Sequence, residues 1–142
     1  MTKYDFHDGH GPVPAHQHPN GGGWVADSAE IDPTAFIDRT SEISTGARIG
    51  PGARVDPYVM VSRGAWIGAR AHVGPGARVG ARVFIGTGAW IGPGAVVGER
   101  AEIGHDAVVG ERAVIGPGAV VDSGMVIEAG AKIEADEQQK ET

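Results

Sequence analysis

Residues 91–96 read Ile91-Gly92-Pro93-Gly94-Ala95-Val96, and this six-residue phrase decides the fold. Ile91 is bulky and apolar. Gly92, Pro93 and Gly94 make a turn cluster, because proline presets φ and glycine accepts positive φ at no steric cost. Ala95 is small, and Val96 returns the chain to a strand. Outward from this phrase, an Ile or Val recurs at every sixth residue from Val25 to Ile133, nineteen positions without a slip. The fourth position of the unit is Gly nine times, and the fifth is nearly always small, mostly Ala. A period of six fits neither an amphipathic helix nor a long strand; it fits short strands joined by repeated corners. One large and one small residue of each unit then point inward, and strand alternation sends the sixth outward.

Three such units close a triangle of about eighteen residues, and neighbouring turns stack at about 4.8 Å through parallel pairing. Nineteen units make about six coils, a triangular prism on the order of 30 Å long. The pattern over 25–133 resembles the hexapeptide-repeat family, and the resemblance implies an all-β, left-handed parallel β-helix; general crossover rules favour the right hand, so the left hand comes from the resemblance alone. The expected organisation is a single domain: a Pro/Gly/His-rich N-terminal cap at 1–24, the β-helix at 25–133 and an acidic C-terminal tail at 134–142.

The absence of Cys excludes disulfides and thiol chemistry. The first residues lack the apolar run of a signal peptide, and no stretch is apolar enough to span a bilayer, so the expectation is a cytoplasmic or particle-associated protein without a membrane partner. A net charge of −6, with arginines scattered among glutamates, argues against nucleic acid. Within the cap, proline and glycine are too dense for a helix or an inner strand. Tyr4, Phe6 and Trp24 are the apolar groups available to plug the open end of the β-helix. His16 and His18, with His7 and His10 nearby, form a candidate metal site; the competing reading is a polar cap whose histidines bond backbone groups. The phrase from His16 to Val25 is similar to lead-ins of hexapeptide proteins encoded by bacteriophages.

Residues eighteen apart stack, which sorts the outward positions into three columns. Trp66 falls above Phe84 in one, and Trp90 falls in the next. That much exposed aromatic surface predicts a homo-oligomer burying Trp66, Phe84 and Trp90 between chains, and the family resemblance implies a trimer.

The segment Ile103-Gly104-His105-Asp106-Ala107-Val108-Val109-Gly110 resembles the Ile-Ala-His-Asp-Cys-x-Val-Gly segment of UDP-sugar acyltransferases. The resemblance implies that His105 is a general base, with Asp106 the adjacent carboxylate, for transfer from acyl-CoA or an acyl carrier to a sugar. Gly104 and Ala107 depart from that segment, and no unit carries an inserted loop. The γ-class carbonic anhydrases share the fold, but His72 and His105 lie 33 residues apart at different positions of their units, which does not lay out that family's three-histidine zinc site. Smooth walls without loops favour a trimeric structural, assembly or binding element, phage-associated and without a well-formed catalytic pocket or cofactor. The alternative is a hexapeptide acyltransferase using His105 and Asp106.

Overall fold

A computed structural model describes residues 2–135, with no helix among them. Eighteen two-residue strands, from Glu30–Ile31 to Lys132–Ile133, each pair in parallel with the strand eighteen residues away. They form three sheets, the walls of a triangular prism of about six coils. Face I presents Glu30, Arg48, Trp66, Phe84, Glu102 and Val120; face II presents Phe36, Arg54, His72, Trp90, Val108 and Val126; face III presents Glu42, Met60, Arg78, Val96, Val114 and Lys132. The interior is one stack of Ile and Val, with Ala at the corners, nearly all of it fully buried. Ile31, in the edge strand of face I, and Ile133, in the edge strand of face III, are less covered than the rest because no coil lies beyond them on one side.

The corners are of two kinds. From residue 46 onward the fourth position has positive φ in fifteen successive turns, and in thirteen of them the fifth-position N–H bonds back to the second-position carbonyl, as Ala53 does to Gly50 at 3.3 Å. These are type II turns. Their third carbonyl accepts from the fourth N–H one coil on, as Thr87 does from Asp106 at 2.9 Å. In the first coil Ser28, Thr34 and Thr40 hold negative φ, the type I arrangement, which turns that carbonyl away. Their hydroxyls take its place, accepting from the N–H groups of Gly46, Gly52 and Tyr58 at 2.9–3.1 Å. The departures from ideal repeat at the N-terminal end are thus a second solution to the same bonding problem.

The second-position glycines answer a different need. Their φ is ordinary, but a Cβ on Gly86 would meet the His105 backbone nitrogen at 2.5 Å and the Gly104 carbonyl carbon at 2.8 Å. Coils approach too closely there for any side chain.

The cap departs from expectation twice. Strand β3 (Trp24–Ala26) joins face III in parallel with Glu42–Ile43, β2 (Pro12–Gln17) adds antiparallel to β3 and β1 (Lys3–Asp5) antiparallel to β2, so β2 is an inner strand despite two prolines. Pairing of β2 with β3 begins only at Ala15, so the missing N–H groups of Pro12 and Pro14 fall outside that ladder, while the Pro14 carbonyl still accepts from Asp27 at 2.9 Å. The aromatic residues do not plug the end. Trp24 stacks on Tyr4 at 4.8 Å and Tyr4 meets Phe6 edge-on at 4.9 Å, a separate cluster whose Tyr4 hydroxyl donates to Glu42 on face III at 2.7 Å. The end is covered instead by 18–23: buried His18 donates Nε2–H to the Ala35 carbonyl at 2.9 Å, and Gly21 and Gly23 lie against Ile37 too tightly for a Cβ.

Burial, followed by the bond to the Glu42 carboxylate, pushes the Tyr4 phenol up to about 12. A raised folded pKa stabilises the protonated state, so this contribution is whole below pH 10 and is lost between about pH 10 and 12. Phenolate absorbance and Trp24 fluorescence should therefore change together in that window; a Tyr4 titrating at its ordinary value of 10.0 contradicts the contact.

Candidate functional site

His105 and Asp106 occupy the two central positions of the turn 104–107, on the edge between faces I and II. Asp106 sits at φ 59°, a left-handed position filled by Gly in nine of the fifteen type II turns; aspartate is among the few residues that tolerate it. With its backbone so held, Asp106 places Oδ2 3.7 Å from His105 Nδ1. Both side chains are open to solvent, at 69% and 75% exposure. The turn is braced on both sides, by the Asp106 N–H to Thr87 and by the Gly124 N–H to the His105 carbonyl at 3.0 Å. On face I beside this corner lies an open groove of about 210 Å³ between Phe84 and Val120, lined also by Glu102, Gly104, Asp122 and Ser123. His105 is not part of its wall, but its neighbour Gly104 and the residue one coil above, Ser123, are.

A tighter pair, which sequence reasoning did not assemble, stands on face II. His72 donates Nε2–H to Asp56 Oδ2 at 2.6 Å, and Asp56 Oδ1 accepts from Arg54 Nε at 3.0 Å. Trp90 stacks on the His72 ring at 5.5 Å and 22°, and the Arg54 guanidinium lies over Phe36 at 4.7 Å. The column Phe36, Arg54, His72, Trp90 is therefore continuous, with Asp56 bonded to its two central members. The signal was available: adding eighteen to Arg54 gives His72, and Asp56 lies two residues beyond Arg54. Neither His72 nor Asp56 lines any of the five principal grooves among the described residues.

His16 and His18 are engaged separately, His16 with the Asp27 carboxylate at 2.7 Å and His18 with the Ala35 carbonyl. Among the described residues no three His, Asp or Glu side chains are grouped to hold a metal ion. Trp66, Phe84 and Trp90 are about half exposed, and Trp66 meets Phe84 edge-on at 5.8 Å. A second groove, about 530 Å³ and wide open, runs along face I from Glu30 past Arg48 to Trp66. The arginines are less scattered than their sequence positions imply: Arg82 and Arg100 fall one above the other on the edge between faces III and I. No described helix is long and apolar enough to cross a membrane.

The sequence matches the family described as "Bacterial transferase hexapeptide (six repeats)" over residues 46–81, 60–93 and 88–123. No curated protein sequence matches the chain. Among solved structures, a hexapeptide transferase family protein from Anaplasma phagocytophilum superposes with a TM-score of 0.75 at 24% identity, over 78% of this chain and 69% of that one. A mutant perosamine N-acetyltransferase from Caulobacter crescentus, solved with CoA and GDP-perosamine, superposes with a TM-score of 0.59 at 23% identity, over 78% of this chain. Only 49% of that enzyme is covered, so this chain spans about half its length. At these identities the likeness establishes a shared fold.

Proposed function

The chain belongs to the bacterial transferase hexapeptide family, and from that membership we propose that it is an acyltransferase moving an acyl group from a CoA thioester to an amine or hydroxyl. The observation that carries this reading is the corner at 104–107, where a histidine and a carboxylate stand beside a groove at a turn that the neighbouring coils fill with Thr-Gly and Ser-Gly. Imidazole changes protonation near neutral pH and serves as a general base. His105 takes the proton from the acceptor as its nitrogen or oxygen attacks the thioester carbonyl. The carbon–sulfur bond then breaks, and the departing thiolate receives that proton. Asp106, with Oδ2 3.7 Å from Nδ1, offsets the charge the ring acquires. Glu102 and Asp122 in the groove suit an amine-bearing acceptor. The likeness to the two solved structures supports the architecture, and the family's transferase description supports group transfer; together they favour this reading over the non-catalytic assembly element.

The working form in this proposal is a homotrimer in which Trp66, Phe84 and Trp90 are buried between chains. Sedimentation at micromolar concentration should give three chains, and Trp66→Glu should lower that mass; a wild-type monomer contradicts it. CoA supplied at a hundred times its Kd should stabilise the fold by about 2.7 kcal/mol, read as a raised melting temperature. A melting temperature indifferent to millimolar CoA contradicts the acyltransferase reading.

A further inference from the structure

The edge between faces III and I carries a feature that the corner chemistry leaves unused. Six of the fifteen positive-φ turn positions hold a residue other than Gly, and four of those are Arg: Arg70, Arg82, Arg100 and Arg112. A β-carbon in this conformation is strained, and arginine lacks the short polar side chain that lets Asn or Asp settle there. Strain of this kind is a reason to look for function. Arg82, at φ 58°, and Arg100, at φ 63°, are consecutive on this one edge, about 4.8 Å apart along the prism. The Arg82 N–H donates to the Arg63 carbonyl at 3.0 Å, which sets a third arginine beside the pair, its guanidinium against the His10 ring. The Arg82 stem lies back over Gly64, where an added Cβ would meet its Cγ at 3.4 Å. Both Arg82 and Arg100 are exposed, and among the described residues neither has a carboxylate within salt-bridge distance, although Glu99 immediately precedes Arg100.

We propose that Arg82 and Arg100 form a clamp for the pyrophosphate of a nucleotide-bearing ligand bound on face I. Two planar guanidinium groups one coil apart match two linked phosphates, which guanidinium recognises by paired hydrogen bonds. The location fits the corner chemistry. Arg100 and His105 bound the same face on the same coil, five residues apart, at most about 17 Å of extended chain. An extended phosphopantetheine arm covers that span. The inference rests on the acyl-transfer reading for that reach, not for the clamp itself. Two ligands carry the required group: the acyl-CoA donor, and an acceptor linked to a nucleoside diphosphate.

The test is calorimetric titration of the full chain with CoA, with UDP-glucose as a nucleotide-linked sugar, and with inorganic pyrophosphate. Arg82→Gly/Arg100→Gly removes both guanidinium groups and relieves both strained positions. Its melting temperature should be no lower than wild type, so lost binding is not lost folding. We expect wild type to bind CoA or UDP-glucose and the double variant to bind it at least tenfold more weakly, with pyrophosphate competing only in wild type. Arg112→Gly, equally strained but on the edge between faces II and III, should keep wild-type affinity. Unchanged affinity in the double variant, or no binding of any of the three probes to wild type, overturns the clamp. Acyl transfer that persists with an unmoved KM in the double variant overturns the clamp alone. Arginine-dependent binding without acyl transfer supports the clamp and sinks the acyltransferase reading.

Discussion

Gly86→Ala destabilises the protein by about 3 kcal/mol, the cost of forcing an extra carbon into a close-packed interior. Gly86 has an ordinary negative φ, so its backbone conformation is open to alanine. The obstacle is the next coil, whose His105 nitrogen and Gly104 carbonyl carbon would lie 2.5 and 2.8 Å from the new Cβ. Both are backbone atoms tied into the parallel ladder, since Gly86 donates to the Ile103 carbonyl at 2.8 Å, and neither has a rotamer to yield. The coils must separate locally, weakening the sheet bonds on either side of the corner. Denaturant unfolding measures the loss; a variant as stable as wild type shows that the coils are further apart than described. Gly86→Ala also displaces the backbone under His105, so its effect on activity exceeds its distance from the chemistry.

His105→Ala should lower kcat/KM for acyl transfer by 10²- to 10⁴-fold, the usual range for removal of a general base. Because the side chain is exposed and its backbone bonds are independent of it, the melting temperature should stay within a degree or so of wild type. Asp106→Gly separates structure from chemistry: it places the preferred residue at φ 59° and should raise stability by about 0.5 kcal/mol while lowering activity. His72→Gln gives the opposite pattern. It breaks the bond to half-buried Asp56 and the stack on Trp90, so stability falls by about 1–2 kcal/mol with kcat retained. Steady-state kinetics on the three variants decide the assignment: if His72→Gln, not His105→Ala, abolished turnover, the base is not His105.

The inward residues were legible in the sequence because a solenoid repeats one local environment: every sixth Ile or Val and the Ala before it in the turn read directly as core. What lay between coils was not. Gly92 looks like part of a turn cluster in its own unit, yet its reason is the backbone of Gly110 and Glu111, eighteen residues away. Asp56 and His72 are sixteen apart with nothing local to join them; only the coil length does. Pro12 and Pro14 misled for the same reason, since which side of a strand lacks partners is a property of the assembled sheet. The Arg82–Arg100 pair became visible once their shared edge and left-handed backbone were known. His105 and Asp106 were legible as a motif, but their openness to solvent and the groove beside them belong to the folded chain.

Acyl transfer at the edge carrying His105 is the activity proposed for this protein. It is tested most directly by following thiol release from acetyl-CoA across a panel of amine- and hydroxyl-bearing acceptors. Catalysis at this corner gives release that depends on both protein and acceptor, with the acylated acceptor recovered in equal amount. Thiol release no faster than in buffer, with every acceptor recovered unmodified, contradicts it.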